Sequence, residues 1–226
     1  MPNSERYQQL IGALLYLAVN TRPDIAASVT ILSQYNKAPT MTDWTEAKRI
    51  ARYLKGTADY ELRLGEKNEA LGLIGYADAD YGEDRKTRKS HTGYLFQLFG
   101  SPISWACKQD CVADSSTHAE YIALAEATRE GLWIRYLLED YERKTQETTV
   151  IYEDNQSCLK LAENGKFSSR SKHIDIKYHF IRDIKKKSLM NYEYCQTDEM
   201  IADMLTKPLG KNKLRYFAEK GGLVCQ

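Results

Sequence analysis

Proline is scarce, five in 226 residues, too few for a Pro-rich linker or a disordered low-complexity chain. Cysteine is scarce and odd in number: Cys107, Cys111, Cys158, Cys195 and Cys225. Cys107 and Cys111 are four apart, which is not the Cys-x-x-Cys of a zinc or redox site, and no second cluster answers them. They read as buried or inert thiols in a reducing compartment. Long hydrophobic runs are missing as well. Stretches such as Ala13–Val19 fall far short of the roughly 20 residues that cross a bilayer. No charged-then-apolar leader opens the chain, so a secreted protein is not expected. An excess of one charge is also absent: 32 basic against 31 acidic residues leave +1. That excludes a uniformly basic binder, so any contact with nucleic acid must come from a local patch.

What is present is a globular composition, 42% apolar and 11% aromatic, long enough to bury a core without disulfide or metal staples. Residues 1–60 read as successive helices. Tyr7, Leu10, Ile11, Leu14, Leu15 and Ala18 form an amphipathic stripe. Pro23 restarts the chain at a helical first turn, and a third helix runs from about Thr42 to Lys55 with Gly56 as its stop. Lys48, Arg52 and Lys55 form one basic row on it, either a solvated face or a strip that tracks a phosphate backbone. The pattern then changes. Strands are expected at Leu71–Asp80, Thr92–Phe99, Ile103–Cys107, Thr149–Tyr152 and Leu189–Cys195. Helices are expected at Ser115–Tyr141, at Asn155–Ala162 with Asn155 as cap, at 173–187, and at Asp198–Thr206. Three strands, helix, strand, helix, strand, helix predicts an α/β fold, a mixed sheet flanked by helices.

Four carboxylates fall where such a fold exposes chemistry: Asp78 late in the first strand, Glu120 early in the long helix, Asp154 at the end of the fourth strand, and Asp203 on the late helix. Their separations of 42, 34 and 49 residues leave only tertiary structure to gather them. Gathered acids raise one another's pKa unless cations neutralise them. Hard Mg²⁺ prefers carboxylate oxygen, and two ions roughly 3.5–4 Å apart can drive an in-line phosphodiester displacement. Each acid has a rival explanation. Thr117 and Glu120 have capping-box spacing, Asp154 could compensate a helix N-terminus, and Asp203 could lie on an exposed face. Asp78 is the hardest to dismiss because Asp is depleted from strands. Asp80 competes with it from the same face.

Together these phrases resemble the ribonuclease H domain of copia-type LTR retrotransposon Pol polyproteins. The resemblance is carried by Tyr-Ala-Asp-Ala-Asp-Tyr (76–81), Thr-Gly-Tyr-Leu-Phe (92–96), Ser-Ser-Thr-His-Ala-Glu-Tyr (115–121), Tyr-Glu-Asp-Asn-Gln (152–156), Lys-His-Ile-Asp-Ile-Lys-Tyr-His-Phe (172–180) and Ala-Asp-Met-Leu-Thr-Lys-Pro-Leu (202–209). The helical start resembles the reverse-transcriptase thumb or connection that precedes it in the same polyprotein, through Thr-Arg-Pro-Asp-Ile (21–25) and Ala-Lys-Arg-Ile-Ala-Arg-Tyr-Leu-Lys-Gly-Thr (47–57). The resemblance implies a ribonuclease H-like five-stranded mixed sheet over 70–226, preceded by a small helical segment over 1–60. It implies an endonuclease cutting the RNA strand of RNA–DNA hybrids with two Mg²⁺ ions, for which Mn²⁺ substitutes. Asp78, Glu120, Asp154 and Asp203 match the family's catalytic and metal-binding positions. Asn155 and Gln156, with Ser116 and Thr117, match positions that contact substrate. The implied partners are the hybrid and the polymerase portion of the same polyprotein, with no membrane and no small-molecule cofactor. The implied setting is intracellular, within virus-like particles where the element is active.

Residues 165–187 hold eight basic residues against two acidic ones. Such a run is either a solvated helix face or, beside a nuclease site, a phosphate-binding flank that includes Lys172, Lys177, Lys185, Lys186 and Lys187, with Lys48, Arg52 and Lys55 as a separate basic row. The chain departs from the family at Tyr81-Gly82, Asp114 and His118, and has no histidine between Glu193 and Met200. The paired-aspartate motif of the polymerase is absent, so this chain is not expected to synthesise DNA. The alternative reading is a catalytically silent nucleic-acid-binding or interaction module from a decayed or domesticated element.

Overall fold

A computed structural model describes residues 4–65, 72–82, 89–111, 113–141, 148–164 and 175–225. Helix α1 (Ser4–Asn20) buries Tyr7, Ile11, Leu14 and Ala18, the face that the apolar spacing predicts. A 3-10 turn at Pro23–Ile25 leads into α2 (Ala26–Ser33), and α3 spans Met41–Gly56. Thr40 and Asp43 close a reciprocal capping box at the start of α3. A buried ion pair fixes the corner before α2. The Arg22 guanidinium donates to both Asp24 carboxylate oxygens at 2.9 and 2.7 Å and to the Thr57 carbonyl at 3.1 Å. Tyr53 donates its hydroxyl to Asp24 at 2.7 Å, which ties this corner to the end of α3.

Strand β1 (Tyr60–Leu62) precedes β2 (Leu73–Asp80), β3 (Ser90–Leu98) and β4 (Ser101–Cys111). The long α4 (Ser116–Asp140), β5 (Thr149–Glu153), α5 (Gln156–Asn164), α6 (Asp175–Lys186) and β6 (Met190–Tyr194) follow. After them come α7 (Asp203–Thr206), α8 (Lys211–Lys220) and β7 (Leu223–Cys225). Strands β2, β3 and β4 are antiparallel, β5 is parallel to β2 and β6 parallel to β5, giving the order β4-β3-β2-β5-β6. This is the mixed five-stranded sheet, flanked by helices and preceded by a helical segment, that the ribonuclease H resemblance implies.

Both faces of the sheet are covered, and β3 shows how. Leu95 and Phe96 point to opposite sides, as successive strand residues must. Phe96 packs with Tyr121, Leu124, Ile151, Ile181 and Met190 under α4 and α6. Leu95 packs with Tyr7, Ile11, Val29, Met204, Leu205 and Phe217, so the helical start and the C-terminal helices share one interior.

Three features escape the sequence patterns. Strands β1 and β7 pair antiparallel, Tyr60 opposite Cys225, but each has three residues, too few to show a period. Helix α8 follows Pro208 and Gly210, a region without an expected element. The helix expected over Asp198–Thr206 is broken: a 3-10 turn covers Thr197–Glu199, and α7 begins only at Asp203. Lys172 and His173 lie outside the described residues.

Candidate metal centre and nucleic-acid interface

Asp78 sits near the end of β2 with only 1% of its surface exposed. Its register partner on β3 is Gly93. A Cβ on Gly93 would stand 2.8 Å from Leu205 Cβ and 2.9 Å from Thr206 Cγ2, so glycine is what lets α7 lie against the sheet. That approach brings the Thr206 hydroxyl to donate a hydrogen bond to Asp78 Oδ2.

Glu120 projects from the second turn of α4. The N-cap of this helix is Ser115, whose hydroxyl accepts from His118 N, so Thr117 and Glu120 do not form the capping box their spacing allows. Glu120 is buried, and its Oε2 has no hydrogen-bond partner. Asp154 directly follows β5, half-buried, and accepts from the Thr197 hydroxyl at 2.7 Å. Ligand oxygens of Asp78, Glu120 and Asp154 all lie within 4.8 Å of one another. Glu153, wholly buried behind them, accepts from Asn155 N at 3.1 Å through Oε1 and leaves Oε2 unpartnered.

The electrostatics follow from burial. Desolvation, lessened by Lys207 and reinforced by Asp203, pushes the Asp78 carboxyl up to about 7. Desolvation and the nearby Asp78 and Asp154 push Glu120 up to about 9. Burial and the neighbouring Glu120 drive Glu153 well above the carboxylate range. Acids held this high need a cation to ionise together. Three converging carboxylate oxygens, one on a group with an orphaned buried atom, fit a hard divalent ion such as Mg²⁺.

Asp203 is near but differently engaged. It is fully buried at the start of α7, outside the group of three. Lys207 Nζ is 2.7 Å from its Oδ1, and Lys213 Nζ is 2.9 Å from its Oδ2. Sequence reasoning missed both lysines, though Lys207 stands at i+4 from Asp203, the spacing that pairs opposite charges along a helix.

The remaining expected contacts surround this centre unevenly. Ser116 and Thr117 lie in the first turn of α4. Asn155 caps α5 by accepting from Cys158 N at 3.0 Å, and Gln156 is the exposed first residue of that helix. Lys177, Lys185 and Lys186 lie on α6, with Lys187 just after it. Lys185 pairs with Glu163 at 3.1 Å and Lys187 with Asp183 at 2.7 Å. Lys48, Arg52 and Lys55 are exposed along α3, and Lys48 Nζ lies 5.5 Å from the Trp44 ring centre.

No protein-family model matches the chain. It is 40% identical over 218 residues to the Retrovirus-related Pol polyprotein from transposon TNT 1-94 of Nicotiana tabacum, an alignment covering 96% of this chain and 16% of that protein. It is 39% identical over 225 residues to the Pol polyprotein from transposon RE2 of Arabidopsis thaliana, covering 99% of this chain and 15% of that protein. The chain belongs to the copia-type Pol family. It spans only a small part of the length of those Pol polyproteins. Among solved structures, LC11-RNase H1 aligns over 60% of this Pol segment and 93% of its own chain, with 15% identity and a TM-score of 0.45. No helix among the described residues is long and apolar enough to cross a membrane.

Proposed function

We propose that this Pol segment is the ribonuclease H of its polyprotein, a metal-dependent endonuclease that hydrolyses the RNA strand of RNA–DNA hybrids. The observation that carries the reading is the meeting of Asp78, Glu120 and Asp154 within 4.8 Å, three acids from β2, α4 and the end of β5. A divalent ion held by them would supply positive charge to the scissile phosphate and acidify an attacking water.

The chain's own residues prepare that event. Thr206 and Lys207 fix the orientation of Asp78, and Thr197 fixes that of Asp154. The amide group of Asn155 keeps its N–H₂ for a ligand while its Oδ1 caps α5. Ser116, Thr117 and Gln156 offer donors at two helix starts, where backbone N–H groups already favour phosphate. Lys177, Lys185, Lys186 and Lys187, with Lys48, Arg52 and Lys55 on the helical start, supply phosphate contacts that carry no sequence information. The RNA strand is told from DNA by its 2′-hydroxyl, and cleavage leaves 5′-phosphate and 3′-hydroxyl ends. The working partners are the hybrid and the polymerase part of the same polyprotein, in an intracellular particle.

The test is incubation with an end-labelled RNA–DNA hybrid, single-stranded RNA or duplex DNA, in Mg²⁺ or EDTA. Cleavage of the hybrid's RNA strand alone, abolished by EDTA, is expected. Hybrid binding without cleavage in Mg²⁺ and Mn²⁺ would replace this reading with that of a silent binding module.

A further inference from the structure

Asp78 and Asp203 are both deeply buried beside the candidate centre, with side chains 2% and 0% exposed. Two carboxylates cannot be left in such a place without a cation. Lys207 supplies one. Its Nζ is 2.7 Å from Asp203 Oδ1 and 3.7 Å from Asp78 Oδ2, so one ammonium spans both acids. The other Asp203 oxygen is taken by Lys213 at 2.9 Å.

We propose that Lys207 is the second cation of this site, and that the centre holds a single divalent ion on Asp78, Glu120 and Asp154. The inference rests on the metal-dependent reading above and deepens it. A further ion on Asp203 would have to displace Lys207 from its ion pair at Oδ1, an oxygen that accepts no hydrogen bond, or Lys213 from its hydrogen bond to Oδ2. The contest favours the lysine. Its ammonium is tethered four residues beyond Asp203, just past the end of α7, so it competes as an intramolecular group. The divalent ion must come from solution and give up part of a tightly held water shell. Lys207 is therefore a positioning residue with a definite electrostatic task, holding Asp78 turned toward the triad while neutralising Asp203.

Bound Mn²⁺ is counted by electron paramagnetic resonance on the full chain, alone and with a cleavage-resistant hybrid whose RNA strand is 2′-O-methylated. The parent is expected to bind one ion in both settings. Lys207→Met should bind two, Lys207→Arg one, and Lys207→Met combined with Asp203→Asn one again. Asp203→Asn alone should still bind one. Two ions on the parent, or one on a folded Lys207→Met, overturns the inference while leaving the metal reading intact. Should Lys207→Met fail to fold, Lys207→Gln, which keeps a hydrogen-bond donor, is read by the same criterion. No ion on any variant, with the parent indistinguishable from Asp154→Asn, overturns the metal reading itself.

Discussion

The Thr206 hydroxyl donates a hydrogen bond to Asp78 across 128 residues of sequence. This contact joins the C-terminal α7 to the central strand β2 and fixes the carboxylate around which the other acids gather. It depends on Gly93, whose missing side chain is the space that α7 occupies. Gly93→Ala should destabilise the protein by about 1–3 kcal/mol through overpacking, and lower metal affinity by turning Asp78 away. Thermal melts with and without Mg²⁺ check both effects. A variant that melts like the parent would place α7 farther from the sheet than described.

Metal and pH should act on one set of groups. Asp78 at about 7 and Glu120 at about 9 both lie above the ordinary carboxylate range. Below that range both the folded and the unfolded chain are protonated. As pH rises, the unfolded chain loses these protons first, so the folded state loses stability from about pH 4 through about pH 9. The metal-free Tm of the parent should therefore fall more steeply across this window than that of Glu120→Gln. Saturating Mg²⁺ should raise the parent's Tm and flatten its slope, but shift Asp78→Asn or Asp154→Asn little. Equal slopes in parent and Glu120→Gln, with no shift from millimolar metal, would remove the electrostatic basis of the site.

The helical start and the five-stranded sheet share a core, so a fragment beginning at Glu69 leaves Leu95, Ile201, Met204, Leu205 and Phe217 without Tyr7, Ile11, Val29 and Leu32. It also removes β1, the partner of β7. Because α7 carries Thr206 and leads into Lys207, loss of this cover reaches the carboxylates of the candidate metal centre. Expected are a broadened melt, binding of a hydrophobic dye, and loss of the Mg²⁺-induced Tm shift. A fragment that melts as cooperatively as the full chain would make 1–60 a separable unit that adds only binding surface.

How much of this was legible varies with the reach of the interaction. The strands, the long helix and the amphipathic face of α1 follow from local periodicity, and Asn155 declares itself as a cap. Asp78 was conspicuous because a strand rarely spends a position on aspartate. Periodicity says nothing about pairing at a distance. Tyr60–Leu62 and Leu223–Cys225 are unremarkable triplets until they meet. Thr-Arg-Pro-Asp reads as a helix start, yet its Arg22 and Asp24 form a buried pair that Thr57 and Tyr53 complete. Alternation along β5 does not reveal that the inward side of Glu153 meets other acids.

The lysines of α6 should act through phosphate alone. Lys185 and Lys187 already pair with Glu163 and Asp183, so each must exchange an acid for a phosphate on binding. Replacing Lys185, Lys186 and Lys187 by Ala should weaken binding equally for all hybrid sequences. The slope of log affinity against log salt should become shallower by up to ~0.9 for each duplex phosphate that the variant no longer neutralises. An unchanged slope would assign these residues to the solvated face of α6.

Asp154→Asn tests the central claim most directly, because Asp154 is the triad member least buried and least engaged in the core. Cleavage and binding are to be measured together on one labelled RNA–DNA hybrid in Mg²⁺, for parent and variant. The account predicts loss of cleavage by more than about a hundredfold, an effect of the size expected when a group acting only in the transition state is removed. Hybrid affinity should be retained or slightly increased, since a negative charge beside the phosphates has gone. Cleavage at the parental rate would contradict the account and move the chemistry away from Asp78, Glu120 and Asp154.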